Sequence, residues 1–388
     1  MSASASFSVK FHSGIADIDA LTWNRLAGTD YPFLRHEFLK ALEDSGAASR
    51  TSGWEPLHAL VYQHGEHEPV AMMPLYLKTN SYGEYVFDWS WADAWQRHGL
   101  AYYPKLVTAI PFTPCAGPRI CVHDPAQSAA ILPALVSAVQ ERAWTLGASG
   151  WHLLFPEESL SAQLQTLDAE QRIGCQYQWF NAGFRDFEHF LEKFSSRKRK
   201  NIRKERRKIA EAGIVFEILE GADIDAGHWQ QFYLFYQGTY RIRGRQAYLP
   251  PGFFQRIGAL MPENLLLVLA RKDDDIIAGA LSFKGGQTLY GRYWGCTEEY
   301  QFLHFETCYY QGIDYCIRQG LQRFDSGAQG EHKIQRGFEP VLTWSNHWIA
   351  HPAFKAAISH FLVEESRYIH DYVARASEFL PFRQEGDI

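Results

Sequence analysis

The residues best suited to chemistry lie between Arg292 and Phe338. A short apolar run ends at Asp325, and the sequence Gly-Ala-Gln-Gly-Glu-His-Lys follows it over 327–333. Glycine lets a backbone approach a ligand closely, and loops at strand ends commonly carry function, so we expect the active site here. A solvated surface loop is the alternative interpretation. The polar side chains crowded into this segment are Asp325, Gln329, Glu331, His332, Lys333 and Arg336.

These side-chain types suit the transfer of an acyl group to an amine. The attacking nitrogen must lose a proton, and the developing oxyanion needs a preorganised donor. Lys333 or Arg336 would stabilise the oxyanion. Asp325, Glu331 or His332 would act as the base, and Asp325 is best placed, at the strand end. No Cys/His or Ser/His pair has motif context, so a covalent acyl-enzyme is not favoured.

Further polar and aromatic residues are candidates for substrate contact. Arg292 and Glu306 would position polar groups, although a surface arginine and a carboxylate favoured by a helix N-terminus explain them equally well. The complete set of candidate substrate-binding residues is Arg292, Tyr293, Glu306, Gln329, Trp91 and Asp93.

A helix and a strand must position this loop. Apolar residues from Phe305 to Ile317 recur at the i, i+3, i+4, i+7 spacing of a helix with one buried stripe. Gly320 stands where a helix commonly ends in a left-handed residue. The run 321–325 is too short for a helix and predicts a buried strand that ends at Asp325.

Length and composition predict an ordinary globular protein with two domains. The chain has 388 residues, of which 46% are hydrophobic and 21% charged, and its net charge is −6. This balance excludes a uniformly basic nucleic-acid binder but permits a local basic patch. The start lacks a signal-peptide pattern, no apolar run reaches about 20 residues, and the six cysteines form no C-x-x-C pair. We therefore expect a cytoplasmic protein without a metal site.

The order of the predicted elements recurs along the chain, which indicates an internal repeat. Two copies of one unit predict an α/β fold with mixed sheets, divided into domains 1–190 and 191–388. The second domain carries a basic helix at 195–210 and a C-terminal strand and helix over 344–369. In the first half we predict helices at 15–26, 32–44 and 129–146 and strands at 7–11, 57–63, 70–78, 84–91 and 151–155. In the second half we predict helices at 229–240 and 251–260 and strands at 265–271, 276–284 and 288–294.

This element order resembles the GNAT N-acyltransferase fold. In that fold the pyrophosphate of the acyl donor rests on a Gln/Arg-x-x-Gly-x-Gly/Ala turn at a helix N-terminus. In the second half the equivalent segment, 295–303, has one glycine and two carboxylates, which argues against coenzyme A there. In the first half the segment 96–101, Gln-Arg-His-Gly-Leu-Ala, matches the pattern. A donor site and a plain turn both fit this match.

A strongly basic helix is predicted between the halves. Nine of the twelve residues from Arg197 to Lys208 are basic, and Gly213 closes the helix. Because like charges on a helix repel each other, we expect an anion here: nucleic-acid phosphate, a pyrophosphate-linked substrate or an anionic membrane surface. The alternative is a helix that faces an acidic patch of the same protein. The candidate anion- or tRNA-binding residues are Arg197, Lys198, Lys200, Arg203, Lys204 and Arg206.

Several runs of residues carry a closer resemblance. The basic run precedes Gly-Ile-Val-Phe at 213–216, and Gly-x-x-Arg-Phe-Asp-x-Gly at 320–327 precedes Gly-Glu-His-Lys-x-x-Arg-Gly-Phe at 330–338. With 89–93, Tyr-Tyr-Pro-Lys-Leu at 102–106, Pro-Phe-Thr-Pro at 111–114 and His-Phe-Glu at 304–306, the chain resembles the Fem-type aminoacyltransferases. It is most similar to the FemAB-like predicted N-acyltransferases, labelled peptidoglycan biosynthesis or recognition.

This resemblance implies a tandem GNAT-like, Fem-like double-domain enzyme. It implies aminoacyl-tRNA as the donor, the amine of a peptidoglycan-precursor peptide as the acceptor, and charge stabilisation at the reacting ester by Lys333. No cofactor is expected beyond the donor, and the expected partners are donor, acceptor and tRNA or another polyanion, with peripheral membrane contact left open. Two alternatives stay open: an acyl-CoA-dependent N-acyltransferase, and a non-catalytic module that binds cell-wall precursor or RNA.

Overall fold

A computed structural model describes residues 6–328 and 330–383 and divides the chain into two compact units. The first comprises Met1–Gly174 and Leu342–His370, and the second comprises Cys175–Val341 and Asp371–Ile388. The sequence prediction places one boundary between 190 and 191. The return of 342–370 to the first unit has a local cause, because Ser345–Ile349 pair antiparallel with Gly150–Leu154 of that unit.

The strands alternate with the helices along the described chain. The strands of the first unit are β1 (Phe7–His12), β2 (Trp54–Pro56), β3 (His58–Gln63), β4 (Pro69–Met73), β5 (Tyr76–Lys78), β6 (Lys105–Thr108), β7 (Cys121–Val122) and β8 (Gly150–Leu154). Those of the second unit are β10 (Ile214–Glu220), β11 (Leu265–Lys272), β12 (Asp275–Gly285), β13 (Thr288–Cys296) and β14 (Arg323–Asp325), while β9 (Glu170–Phe180) and β15 (Glu339–Ile349) have residues in both units.

The helices confirm most of the predicted positions. The first unit holds α1 (Ala20–Ala27), α2 (His36–Asp44), α3 (Trp89–Arg97), α4 (Ser128–Leu146) and α5 (Glu158–Gln165). The second holds α6 (Phe187–Glu192), α7 (Ser196–Glu211), α8 (Ala226–Arg241), α9 (Pro251–Leu260), α10 (Leu303–Phe305) and α11 (Gln311–Gln319). The last helix, α12 (Pro352–Glu378), has residues in both units. Within the described residues, every helix is too short or too polar to cross a lipid bilayer.

The first unit builds two sheets. Strands β1, β3, β4 and β7 pair antiparallel in that order, and in the other sheet β8 pairs parallel with β6 and antiparallel with β15. Helix α4 contributes Ile131, Leu135 and Val139 to a core that also contains Val61 and Leu153. Burial of this apolar surface, at roughly 25 cal/mol per Å², stabilises the unit.

The second unit has one mixed sheet. Strands β10 to β13 form an antiparallel meander, β14 pairs parallel with β13, and β9 pairs antiparallel with β14. The parallel pairing joins Thr288–Tyr290 to Arg323–Asp325 and ends there, although β13 continues to Cys296. Strands β13 and β14 are therefore no longer paired beyond Asp325.

One predicted strand of the first unit is wrong. The segment 84–88 is irregular, with Tyr85 at φ 61°, and α3 begins at Trp89. Glu84 and Asp88 accept hydrogen bonds from the buried Lys105. These tertiary contacts override the strand propensity of the aromatic residues in the segment. The candidate donor turn 96–101 consequently lies at the C-terminal end of α3, with Gly99 at φ 72°. A helix C-terminus carries partial negative charge and lacks the free N–H groups that bind a pyrophosphate.

Candidate functional site

Three predicted site residues lie around one glycine, Gly327, which follows the end of β14. Asp325 Oδ1 accepts a hydrogen bond from the Gly327 amide at 2.9 Å, and Lys333 Nζ donates to the Gly327 carbonyl at 2.6 Å. Asp325 is 1% exposed and Lys333 is 2% exposed. Because they bind the two backbone groups of the same residue, a carboxylate and an ammonium are held close together in a site shielded from water. We call Asp325, Arg292 and Lys333 the Gly327 centre.

A bulge in the sheet aims Arg292 at this centre. Leu281 pairs with Tyr293 and Ser282 with Gly291, so Arg292 is the extra residue of β13. Bulges of this kind re-aim side chains and are frequent beside active sites. A Cβ added to Gly327 would lie 3.7 Å from Arg292 Nη1, which places the guanidinium next to the glycine. Gly327 itself has φ 88°, a backbone conformation that favours glycine.

The segment that carries Lys333 is a 3-10 helix, Glu331–Arg336, flanked by Gly330 and Gly337 in left-handed conformations. Residues three apart eclipse each other in a 3-10 helix, so Lys333 and Arg336 lie on one side. Arg336 forms an ion pair with Glu205 of α7 at 2.9 Å and lies 3.4 Å above the Phe305 ring. Both contacts hold the C-terminal end of the 3-10 helix, three residues after Lys333.

Two histidines beside the centre are held in the neutral form. His332 Nε2 lies 2.9 Å from the Tyr309 hydroxyl, and the rings of His332 and His304 are 6.0 Å apart. Burial, followed by the charges of Arg336 and Lys333, lowers the pKa of His332. Burial and the neighbouring His332 lower the pKa of His304 to about 4. A neutral imidazole is the form that can accept a proton.

The predicted helix after β13 is confirmed, with an irregular segment inside it. Glu306–Tyr310 has π-helical geometry between α10 and α11, and such segments are frequent at functional sites. Glu306 is 3% exposed, pairs with Arg206 at 3.0 Å and accepts a hydrogen bond from Gln311 at 2.8 Å. Burial raises the pKa of Glu306 despite the opposing charge of Arg206. The contacts of Glu306 are thus with α7 and its own helix.

The basic helix α7 divides into paired and unpaired cations. Arg206 pairs with Glu306, Arg203 with Glu188, and Lys198 donates to Gln335. Glu306 and Glu188 are acidic partners of the kind that the alternative interpretation expects, whereas Gln335 is neutral. Arg197, Lys200 and Lys204 are exposed, and within the described residues they have no ion pair or side-chain hydrogen bond.

The remaining predicted site residues lie elsewhere. Tyr293 is 9% exposed and packs against Tyr236 and Phe254 of α8 and α9. Glu331 accepts a hydrogen bond from Tyr372 at 2.7 Å, and Gln329 lies outside the described residues.

In the first unit, the structure separates the two candidate substrate contacts of α3. Trp91 is buried, and its ring packs against His347, whereas Asp93 is exposed. The tryptophan of this helix that reaches solvent is Trp89, which is 41% exposed.

Sequence reasoning missed a buried charge cluster in the first unit. Lys105 of β6 is fully buried and donates to Ser81 at 3.0 Å, to Glu84 at 2.7 Å and to Asp88. Lys78, also fully buried, lies 3.7 Å from the Trp54 ring centroid and 3.9 Å from Glu84. The only signal in the sequence is that the lysines end or begin apolar strands, which gives no indication of their partners.

The electrostatics of this cluster set its members apart. Burial lowers the pKa of Lys78 to about 7 and raises the pKa of Glu84 to about 7. Burial opposes ionisation of Asp88, but the Lys105 ammonium prevails and lowers the pKa of Asp88 to about 2. Strongly shifted pKa values in a specific charge cluster mark candidates for function, and structural ion networks produce them too.

No three His, Cys, Asp or Glu side chains of residues 6–328 and 330–383 gather in a geometry that could hold a metal ion. The side chains at the Gly327 centre supply an ammonium, a guanidinium and a carboxylate, with the imidazole of His332 next to them.

Comparison with known protein families identifies a match over nearly the whole chain. A family model described as FemAB-like, peptidoglycan biosynthesis/recognition, matches residues 14–384. No curated protein sequence matches the chain significantly.

Solved structures show the same fold at low sequence identity. FemX superimposes with a TM-score of 0.53 at 13% identity, covering 91% of this chain and 100% of its own. The C-terminal domain of a putative lysylphosphatidylglycerol synthetase from Agrobacterium fabrum gives a TM-score of 0.53 at 10% identity, and the match covers 90% of this chain and 97% of that domain. A conserved protein of unknown function from Bacteroides thetaiotaomicron gives a TM-score of 0.52 at 9% identity, and the match covers 88% of this chain and 99% of that protein. The predicted α/β fold with double GNAT-like architecture is confirmed.

Proposed function

Because this chain belongs to the FemAB-like family, we propose that it is a transferase that moves an acyl or aminoacyl group onto an amine. The observation that carries the proposal is the Gly327 centre. There a buried ammonium and a buried carboxylate bind the two backbone groups of one residue, beyond the point where β13 and β14 stop pairing.

The proposed reaction assigns a role to each side chain. The amine nitrogen attacks the carbonyl carbon of the acyl donor, and the bond from that carbon to the leaving oxygen breaks. The proton that the nitrogen loses passes through His332 to the leaving oxygen, which departs as a hydroxyl group. Lys333 donates to the developing oxyanion, a contribution typically worth 10²–10³ in rate. Arg292 adds positive charge on the same side.

Asp325 is the proposed recognition group for the amine. Its Oδ1 is used by the Gly327 amide, whereas its Oδ2 is buried and has no hydrogen-bond partner within the described residues. A buried carboxylate oxygen without a donor is costly, and an incoming ammonium would satisfy it. The neutral His332 would then take the proton from the attacking nitrogen.

We propose aminoacyl-tRNA as the donor co-substrate and a peptidoglycan-precursor amine as the acceptor. The acceptor follows the description of the family. The donor is supported by Arg197, Lys200 and Lys204, whose exposed charges have no partner in the described part of the chain. Charges of this kind would bind the phosphates of RNA. A donor of this class is cytoplasmic, and we place the reaction there.

A labelled-transfer experiment tests the reaction itself. Purified protein is mixed with tRNA charged with labelled amino acids and with a nucleotide-linked muropeptide, and the products are analysed by mass spectrometry. We expect label on the acceptor amine. Label that reaches the acceptor only from an added acyl-CoA pool would contradict the proposed donor, and no transfer from either pool would contradict the function.

A further inference from the structure

The second unit contains a cavity that the proposed chemistry does not use. It has a volume of 840 Å³, within the roughly 300–1,000 Å³ typical of small-molecule sites. It lies at the beginning of β14, because its wall residue Phe180 pairs with Arg323, whereas Asp325 at the other end of β14 pairs with Gln178. The cavity is therefore separate from the Gly327 centre.

The wall of the cavity combines three kinds of side chain. Phe180, Phe184, Phe190 and Phe382 supply aromatic rings, Lys193, Arg199 and Arg383 supply positive charge, and Glu192 and Glu339 supply carboxyl groups.

The cations are available to a ligand. Lys193 is exposed and Arg199 partly exposed, and neither side chain has an ion pair or hydrogen bond within the described residues. Arg383 donates one hydrogen bond, from Nε to the Phe194 carbonyl at 3.3 Å, which leaves the other guanidinium nitrogens for a ligand. Three cations at one cavity favour an anion, and arginine in particular suits phosphate, because its planar guanidinium can donate two parallel hydrogen bonds to two phosphate oxygens.

The aromatic residues add a second requirement. Phe180 is 39% exposed, and Phe184 lies within 5.2 Å of Phe190, ring centroid to ring centroid. Partly exposed rings beside cations form the arrangement on which nucleic-acid bases stack while phosphates bind nearby. A lipid chain would also contact the rings but would leave the two carboxyl groups without a function.

The carboxyl groups complete the match. Glu192 is exposed, and burial raises the pKa of the half-buried Glu339. Acidic side chains commonly accept hydrogen bonds from ribose hydroxyls. We propose that this cavity binds a nucleotide, with its phosphate on Lys193 and Arg199, its base against the phenylalanine rings and its ribose at the carboxyl groups.

The wall of the cavity contacts the turn that carries Lys333. A Cβ added to Gly337, which ends the 3-10 helix of Lys333, would lie 2.8 Å from the Phe190 ring of the cavity wall. The cavity wall and the catalytic turn are thus in direct contact.

Calorimetric titration of the full chain tests the proposal. The probes are AMP, adenosine and inorganic phosphate. We expect AMP to bind more tightly than adenosine or phosphate alone, because only AMP contacts the cations, the rings and the carboxyl groups together.

Variants locate the binding. Arg199→Ala is expected to weaken AMP binding about tenfold through loss of a charged hydrogen bond, and Phe180→Leu by a similar factor through loss of stacking. The matched control is Arg207→Ala, an exposed arginine of the same helix that does not line the cavity. Thermal melting confirms that each variant is folded. Absence of binding by every probe, equal binding of phosphate and AMP, or an Arg199→Ala variant with unchanged affinity would overturn the proposal.

Discussion

At the scale of residues, several buried charges of this protein lie against an opposite charge. Lys105 donates to three acceptors, and Arg336 and Glu306 are each paired with a residue of α7. Removal of one partner from such a pair leaves an uncompensated buried charge, which costs more than the intact pair contributes. The energetic consequences can therefore be assigned to individual side chains.

Lys105→Met tests the buried cluster of the first unit. It leaves Asp88 without an ammonium and Glu84 with only the more distant Lys78, at 3.9 Å. We expect a loss of about 3–5 kcal/mol in the free energy of unfolding. The matched variant Lys105→Met/Glu84→Gln/Asp88→Asn removes the stranded charges and should recover part of that loss. Urea denaturation followed by circular dichroism provides the measurement. A single variant as stable as the wild type would show that the cluster is not electrostatically coupled.

His304 predicts a specific dependence of stability on pH. Its folded pKa of about 4 lies below the ordinary value of 6.5, so below pH 6.5 the unfolded chain binds the proton more readily. Stability is present above pH 6.5 and is lost as the pH falls towards 4. Between pH 7 and pH 5 the wild type should lose about 2 kcal/mol more than His304→Gln. Equal losses in denaturation experiments at the two pH values would contradict a depressed pKa.

At the scale of elements, the helix with the π segment depends on a glycine. A Cβ on Gly312 would lie 2.4 Å from the Phe324 ring of β14, whereas a Cβ on Gly238 of α8 meets no atom within 4 Å. We expect Gly312→Ala to cost about 1–3 kcal/mol through overpacking and Gly238→Ala to add up to about 1 kcal/mol through helix propensity. Melting temperatures decide the matter. A Gly312→Ala protein that gains stability as Gly238→Ala does would refute the close packing.

The basic helix predicts a salt-dependent interaction with RNA. Lys200→Ala/Lys204→Ala removes two exposed cations, so the slope of log affinity against log salt should become shallower by about 2. Thermal stability should not change, because neither lysine has a partner within the described residues. Filter binding of tRNA at several salt concentrations gives the slope. Lys40→Ala/Lys355→Ala, in the first unit, is the control; an identical slope in the two double variants would exclude α7 as the RNA contact.

The sequence predicts the region from Phe305 to Asp325 well, because the signals for its helix and strand are local. The stripe from Phe305 to Ile317, the left-handed Gly320 and the strand ending at Asp325 are all confirmed. Lys333 and Asp325 could be named because the loop between them is short. The bulge at Arg292 and the ion pair of Arg336 with Glu205 could not be predicted, since both depend on strands and helices distant in sequence.

At the scale of the whole molecule, two GNAT-like units account for the length and the recurring order of elements. The discontinuous boundary could not be predicted, because periodicity identifies β15 as a strand but not β8 as its neighbour. The strand predicted at 84–91 is wrong for a related reason. The carboxylates of Glu84 and Asp88 accept hydrogen bonds from Lys105, which lies 17 residues beyond Asp88. Charge partners, unlike hydrophobic periods, leave no local pattern.

The central claim is that Lys333 and its neighbours at Gly327 perform the transfer, and Lys333→Met tests it most directly. Once transfer to an acceptor amine is measurable, the turnover of this variant should fall about 10²–10³-fold, while acceptor affinity stays close to that of the wild type and a cooperative melting transition shows that the variant is folded. Lys272→Met, on β11 of the same unit, is the control and should retain full turnover. A folded Lys333→Met protein that transfers the acyl group at the wild-type rate would contradict the account.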